Sequence, residues 1–205
     1  MSKNKFTKRE KNMMIIVAIL IAIMVLGFGG FLTASDKGKG VFSANDSNLG
    51  QQSLRNQVDT LRNVVKVNPQ DTTARLKLAN AYYDLGEQVR HGKAPDQAIP
   101  YFKQAVEEYE EVIKIKQDIN VLVDMATAAF RSGQYELAEK TFNEAITAKP
   151  DFLNGLVNYG IFLMDAKKDY LGAIEQWSIA LTKGNPTPDQ AQLINRYIDW
   201  AQDKL

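Results

Sequence analysis

The chain has 205 residues, 45% hydrophobic and 24% charged, and its 25 Lys and Arg against 24 Asp and Glu leave a formal charge of +1. Five cations (Lys3, Lys5, Lys8, Arg9, Lys11) against Glu10 give residues 1–12 a net +4, and residues 13–32 hold no charge. Residues 33–205 are therefore left with 20 basic and 23 acidic side chains, net −3. A slightly acidic body lacks the cationic footprint of nucleic-acid binding. The absence of cysteine removes disulfides and thiolate sites, and a single histidine, His91, gives no material for imidazole metal clusters and little for hydrolytic triads.

Met13–Leu32 reads MMIIVAILIAIMVLGFGGFL, without an ionisable or amide side chain. As a helix it would span roughly 30 Å, the thickness of a bilayer's hydrocarbon core. It is longer than the apolar region of a secretory signal, and Thr33-Ala34-Ser35 is a poor cleavage site, so an uncleaved transmembrane helix is expected. The +4 flank precedes it and Ser35–Gly40 offers only +1, which places the N-terminus in the cytoplasm and the remainder outside. Residues 33–50 are rich in Gly, Ser, Asn and Asp and read as a flexible tether.

From Gln51 the apolar residues adopt helical spacing. Leu54, Val58, Leu61 and Val65 form one face of a leading helix (51–69) that ends at Asn68-Pro69. Residues 70–117 form a first helix pair with Leu78-Ala79, Tyr82 and Gly86 in one arm and Ala105, Tyr109, Val112 and Ile113 in the other. Between the arms, Leu85 and Val89 continue the apolar pattern up to His91–Pro95, and Ala98 and Phe102 continue it beyond. Residues 118–150 carry Met125-Ala126, Ala129-Phe130, Gly133, Tyr135, Ala138, Phe142, Ala145 and Pro150. Residues 151–186 repeat this with Gly160, Ala173, Trp177 and Ala180, closing at Asn185-Pro186. Thr187-Pro188-Asp189-Gln190 is a capping-box signature that opens a final helix (187–205), whose Leu193, Ile194, Tyr197, Ile198 and Ala201 share a face.

This pattern of small residues, Ala-x3-Phe and terminal Pro at a period of 34 resembles the tetratricopeptide repeat (TPR) family, of the membrane-anchored bacterial type. The first pair departs from it: Ala79 to Ala126 is 47 residues, so about 13 are additional, enough for roughly two further turns in each arm. The resemblance implies an all-α fold, a right-handed α-solenoid of TPR helix hairpins preceded by the single N-terminal transmembrane helix. It also implies a concave peptide-binding groove lined by the first helix of each repeat. The matching positions are Thr73, Leu76, Asn80, Tyr83 and Asp84, then Asn120, Val123, Thr127, Phe130 and Arg131, then Asn154, Val157, Ile161, Met164 and Asp165. Tyr83, Phe130 and Met164 would form an apolar stripe beside Asp84, Arg131 and Asp165, suited to a peptide with apolar anchors and at least one basic group. A clamp for acidic tails is argued against, because Leu76 stands where a Lys would be wanted.

No residue set supports catalysis, a metal or a cofactor. His91 lies in a polar turn, and Glu107, Glu108, Glu110 and Glu111, spaced from Lys103 and Lys114, read as a solvated helix face. Phe142 and Trp177 are interhelical core. The expected function is a single-pass protein of the cell membrane, not an enzyme, whose extracytoplasmic TPR domain is a scaffold for a protein or peptide partner. The expected contact with the lipid bilayer is through Met13–Leu32, and no nucleic acid or small-molecule substrate is expected. The alternative is a chaperone-like accessory factor for cytochrome c maturation or protein translocation.

Overall fold

A computed structural model describes residues 44–92 and 95–205, with side chains from Gly50 onward. The expected basic tail (1–12), the transmembrane helix (13–32) and the tether up to residue 43 lie outside the described residues. Among the described residues no helix is long and apolar enough to cross a membrane. The chain runs through α1 (Ala44–Val67), α2 (Thr72–Arg90), a short 3-10 turn (Pro95–Ala98) leading into α3 (Ile99–Ile115), α4 (Ile119–Arg131) and α5 (Tyr135–Ala148). It continues through α6 (Leu153–Phe162), extended by a π turn (Leu163–Lys167), then α7 (Tyr170–Lys183) and α8 (Pro188–Gln202).

Each helix packs on the next, so α2–α3, α4–α5 and α6–α7 are three successive hairpins, flanked by α1 and α8. Helix α4 also packs directly on α6, with no comparable contact between α5 and α7. The first helices of the second and third hairpins therefore sit closer together than their second helices, and the outer surface of α4 and α6 is the inside of the bend. This is an α-solenoid.

Small and large side chains interlock at the heart of each hairpin. Ala126 faces the layer filled by Phe142, and both are fully buried. In the third hairpin the pair becomes Gly160 and Trp177: a methyl group on Gly160 would overlap the indole, whose Nε1–H donates to the Val157 carbonyl at 3.1 Å. The aromatic of each second helix then stacks on the next element, Phe142 on Tyr159 of α6 (5.5 Å) and Trp177 on Tyr197 of α8 (5.4 Å). Helix α8 thus offers Trp177 the aromatic that α6 offers Phe142. Thr187 and Gln190 cap it reciprocally.

The long first hairpin contains a second such layer. A methyl group on Gly86 would lie 2.7 Å from the Phe102 ring, and Gly86 and Phe102 each stand seven residues, about two turns, above Ala79 and Tyr109. Helix α2 accordingly has 19 residues against 13 in α4, and α3 has 17 against 14 in α5. Pro95 opens the 3-10 turn and Pro100 sits in the first turn of α3, where a missing N–H costs nothing. One Glu departs from the expected solvated face: Glu108 accepts from Arg75 Nη1 at 2.6 Å, linking α3 to α2.

One expectation is corrected. The tether does not extend to residue 50, because α1 begins at Ala44, seven residues before the expected start at Gln51. Gly50 and its polar neighbours are poor helix formers, yet Gly50 lies so close to α2 that a Cβ would come within 2.5 Å of Gln88 Nε2, and that packing outweighs propensity. The one-residue change of period inside the third hairpin is already visible in the sequence. Ala126 maps to Gly160 over 34 residues but Ala138 maps to Ala173 over 35. The additional residue is accommodated in the π turn, which the chain leaves through Lys168 at φ 56°; Gly133, at φ 80°, occupies the corresponding turn of the second hairpin.

Candidate functional site

Of the residues expected to line a groove on the first helices of the hairpins, not all are available at the surface. On α2, Asn80 and Asp84 are exposed while Leu76 and Tyr83 are half-buried. Asn80 Oδ1 accepts a hydrogen bond from the Tyr109 hydroxyl of α3 at 2.8 Å. The Tyr83 ring meets Phe102 edge-on at 5.5 Å, and burial, with the Glu87 charge adding to it, pushes its hydroxyl up to about 12. The Asp84 carboxyl is raised by burial, with Glu87 again adding.

On α4, Thr127 is half-buried and donates its hydroxyl to the Val123 carbonyl one turn back, at 2.8 Å. Phe130 is turned toward the stack, edge-on to Phe162 at 5.6 Å and tilted against Tyr135 at 6.4 Å. The Arg131 guanidinium lies 4.9 Å over the Phe130 ring, and its Nε is 3.3 Å from Glu87 Oε1, an ion pair without hydrogen-bond alignment. Glu87 is also gripped by Arg90, through Nη2 at 2.6 Å and Nε at 3.2 Å. Both arginines beside Tyr83 are therefore engaged by one carboxylate. On α6, Val157 and Ile161 are half-buried, and Asp165 is exposed within the π turn.

Val123 and Met164 do not line the face. Val123 is 0% exposed because α6 crosses it at Gly155, whose missing Cβ would stand 3.4 Å from Val123 Cγ2. Met164 is 4% exposed because the π turn widens the helix there and brings Met164 inward together with Leu163. Of the expected stripe of Tyr83, Phe130 and Met164, only Met164 is buried as interhelical packing, while Tyr83 and Phe130 are both half-buried, each meeting one neighbouring ring edge-on. Thr73, Asn120 and Asn154 are exposed in the first turns; Asn120 and Asn154 hydrogen-bond to their own helices' polar groups, Asp118 and Asn158.

Sequence reasoning missed Asp124 and Glu87. Asp124 lies on the helical stripe Asn120, Asp124, Thr127, Arg131, at i, i+4, i+7, i+11, so periodicity alone could have found it. Its carboxyl is half-buried, and burial, with Asp118 adding, pushes it up to about 6. The Tyr109 hydroxyl is raised well above its ordinary range by burial first, with Asp124, Tyr83 and Asp84 adding to it. Among the described residues no group of His, Cys, Asp or Glu could hold a metal ion.

Two family models, both described as tetratricopeptide repeat, match residues 77–151 and 123–188. Residues 77–188 are tetratricopeptide repeats. In fold these TPR hairpins are similar to a crystal structure of MamA, with a TM-score of 0.54 at 14% identity, over 80% of this chain and 96% of that one. A second MamA structure has a TM-score of 0.51 at 15% identity, over 78% and 86%. The Sgt2 TPR domain from Aspergillus fumigatus has 20% identity over 62% of this chain and 78% of that one, with a TM-score of 0.46. No curated protein matches the chain. The TPR fold is that of a protein-interaction scaffold, and no catalytic family is indicated.

Proposed function

We propose that this is a single-pass membrane protein that presents its TPR array as a docking scaffold in the cell envelope. The supporting observation is the surface of the first helices α2, α4 and α6, of which α4 and α6 lie on the inside of the bend. It leaves Tyr83, Val157 and Ile161 half-open beside exposed Asn80, Asp84 and Asp165. Such a mixture of apolar patches and polar rim is what a polypeptide partner covers, and stacked repeats provide it over a long surface. For the anchor and its orientation, the support is the uncharged run 13–32 and the +4 segment before it.

Photo-crosslinking residues placed at Tyr83, Ile161 and Asp165 of the full chain in intact cells will capture a polypeptide. Placed at Lys140 and Glu144, which are exposed on α5, they will not. Equal capture from both sets, or none from the first, sinks the docking reading. Protease added to sealed right-side-out vesicles tests the orientation separately: a fully protected TPR domain would reverse it.

A further inference from the structure

The charges on the docking face do not balance. Arg90 and Arg131, the cations beside Tyr83, share Glu87, and with Asp84, Asp124 and Asp165 these six groups sum to −2. Asp84 on α2, Asp124 on α4 and Asp165 on α6 have no Lys, Arg or His within ion-pair distance among the described residues. The environments of Asp84 and Asp124 contain burial and further negative charge but no donor that would favour the ionised form. The three carboxylates are spread over the first helices of all three hairpins rather than clustered on one. They alternate with half-buried apolar groups, Tyr83 on α2 and Val157 and Ile161 on α6. A half-desolvated carboxylate without a cation costs free energy in the isolated protein, and a partner's cation would recover it.

We infer that this face receives a polypeptide segment that brings lysine or arginine side chains to Asp84 and Asp124, with one apolar side chain seated against Tyr83 and another, further along the segment, against Ile161. The inference rests on the docking reading above and specifies the partner's chemistry. Charge complementarity decides the partner: an acidic segment would meet three unpaired carboxylates, and a neutral one would leave the half-buried Asp124 uncompensated. Asn80, whose Oδ1 already accepts from Tyr109, keeps its amide N–H groups for the partner's backbone carbonyls.

The test is selection of displayed random peptides on the full chain in detergent micelles, repeated on Asp84→Asn/Asp124→Asn and on Tyr83→Ala, each variant checked for native helicity. The expected result is Lys and Arg enrichment with depletion of Asp and Glu on the unaltered chain, lost on the double Asn variant. An enriched peptide should bind about tenfold or more weaker to each single Asn variant and weaken further with added salt. Three results would overturn the inference: enrichment of acidic or neutral peptides, Lys and Arg enrichment that survives the Asn substitutions, or no enrichment at all. Neutral enrichment that disappears with Tyr83→Ala would overturn the charge specificity while keeping the docking face. The absence of any Tyr83-dependent peptide would overturn the docking reading as well.

Discussion

Gly160→Ala tests the interlocking of small and large side chains through the sign of its effect. In an open helix interior the substitution would stabilise by about 1 kcal/mol, because alanine loses less backbone freedom than glycine. Here the new methyl overlaps the Trp177 indole, which is fully buried, stacked on Tyr197 and hydrogen-bonded to the Val157 carbonyl. Displacing the ring costs roughly 1–3 kcal/mol in packing and about 1 kcal/mol for the indole bond. The net is a loss of roughly 1–3 kcal/mol, or some 2–4 °C in Tm per kcal/mol for a domain of this size. Trp177→Phe alone should cost roughly 2 kcal/mol through the void and the lost N–H. Together the two substitutions recreate the Ala126 and Phe142 pairing of the second hairpin, so the double variant should be more stable than the sum of the single effects by roughly 1–2 kcal/mol. Thermal and urea unfolding of the full chain in detergent, followed by far-UV circular dichroism, measures all four corners of the cycle. Stabilisation by Gly160→Ala alone, or additivity of the two changes within about 0.5 kcal/mol, would refute the complementarity.

Further expectations follow from single residues. Lys168 holds a left-handed backbone at φ 56°, so Lys168→Gly should stabilise by about 1 kcal/mol, whereas Gly133→Ala, at φ 80° with open space for its methyl, should destabilise by a similar amount through backbone strain alone; urea midpoints will show opposite signs. Asp124 has a raised carboxyl pKa, about 6 against 3.8, so the folded state binds its proton more tightly and its contribution to stability falls as pH rises from about 4 through 6. Asp124→Asn should therefore stabilise by roughly 1–2 kcal/mol at pH 7, an advantage that shrinks below pH 6 and is gone below about pH 4; a pH series of melts would contradict this if the gain were constant. Glu108→Ala leaves the Arg75 guanidinium half-buried and unpaired and should cost roughly 1–3 kcal/mol, while Glu107→Ala, on the exposed side of the same helix, should stay within about 0.5 kcal/mol. Thr187→Ala removes the hydroxyl that caps α8 and should lower stability by about 1 kcal/mol, with the change confined to the α8 amides in hydrogen exchange.

The fold was legible because its determinants are local and periodic. Ala126, Ala138, Phe142 and Ala145 recur one period later as Gly160, Ala173, Trp177 and Ala180, and all eight are buried. What the sequence hid depends on partners distant along the chain. Gly50 reads as tether because nothing local announces that Gln88 lies against it. The docking face was legible only in part for the same reason. Positional matching finds which residues point inward, but it does not see α6 crossing Val123 at Gly155, nor a π turn moving Met164 into the core. Asp124 was within reach, since its spacing from Asn120 and Thr127 is helical, but its significance comes from burial, which spacing does not show.

The doubled layer of the first hairpin limits how such a protein can change length. Two antiparallel helices keep the same residues toward each other only when both arms change together by whole numbers of turns, and seven residues is the smallest near-integral pair of turns. Ala79 with Gly86, and Tyr109 with Phe102, carry that step. Insertions and deletions here are thus quantised: a cut of seven from each arm would leave a hairpin of ordinary height, whereas a cut of three or four from one arm alone would swing polar residues into the seam and unzip it.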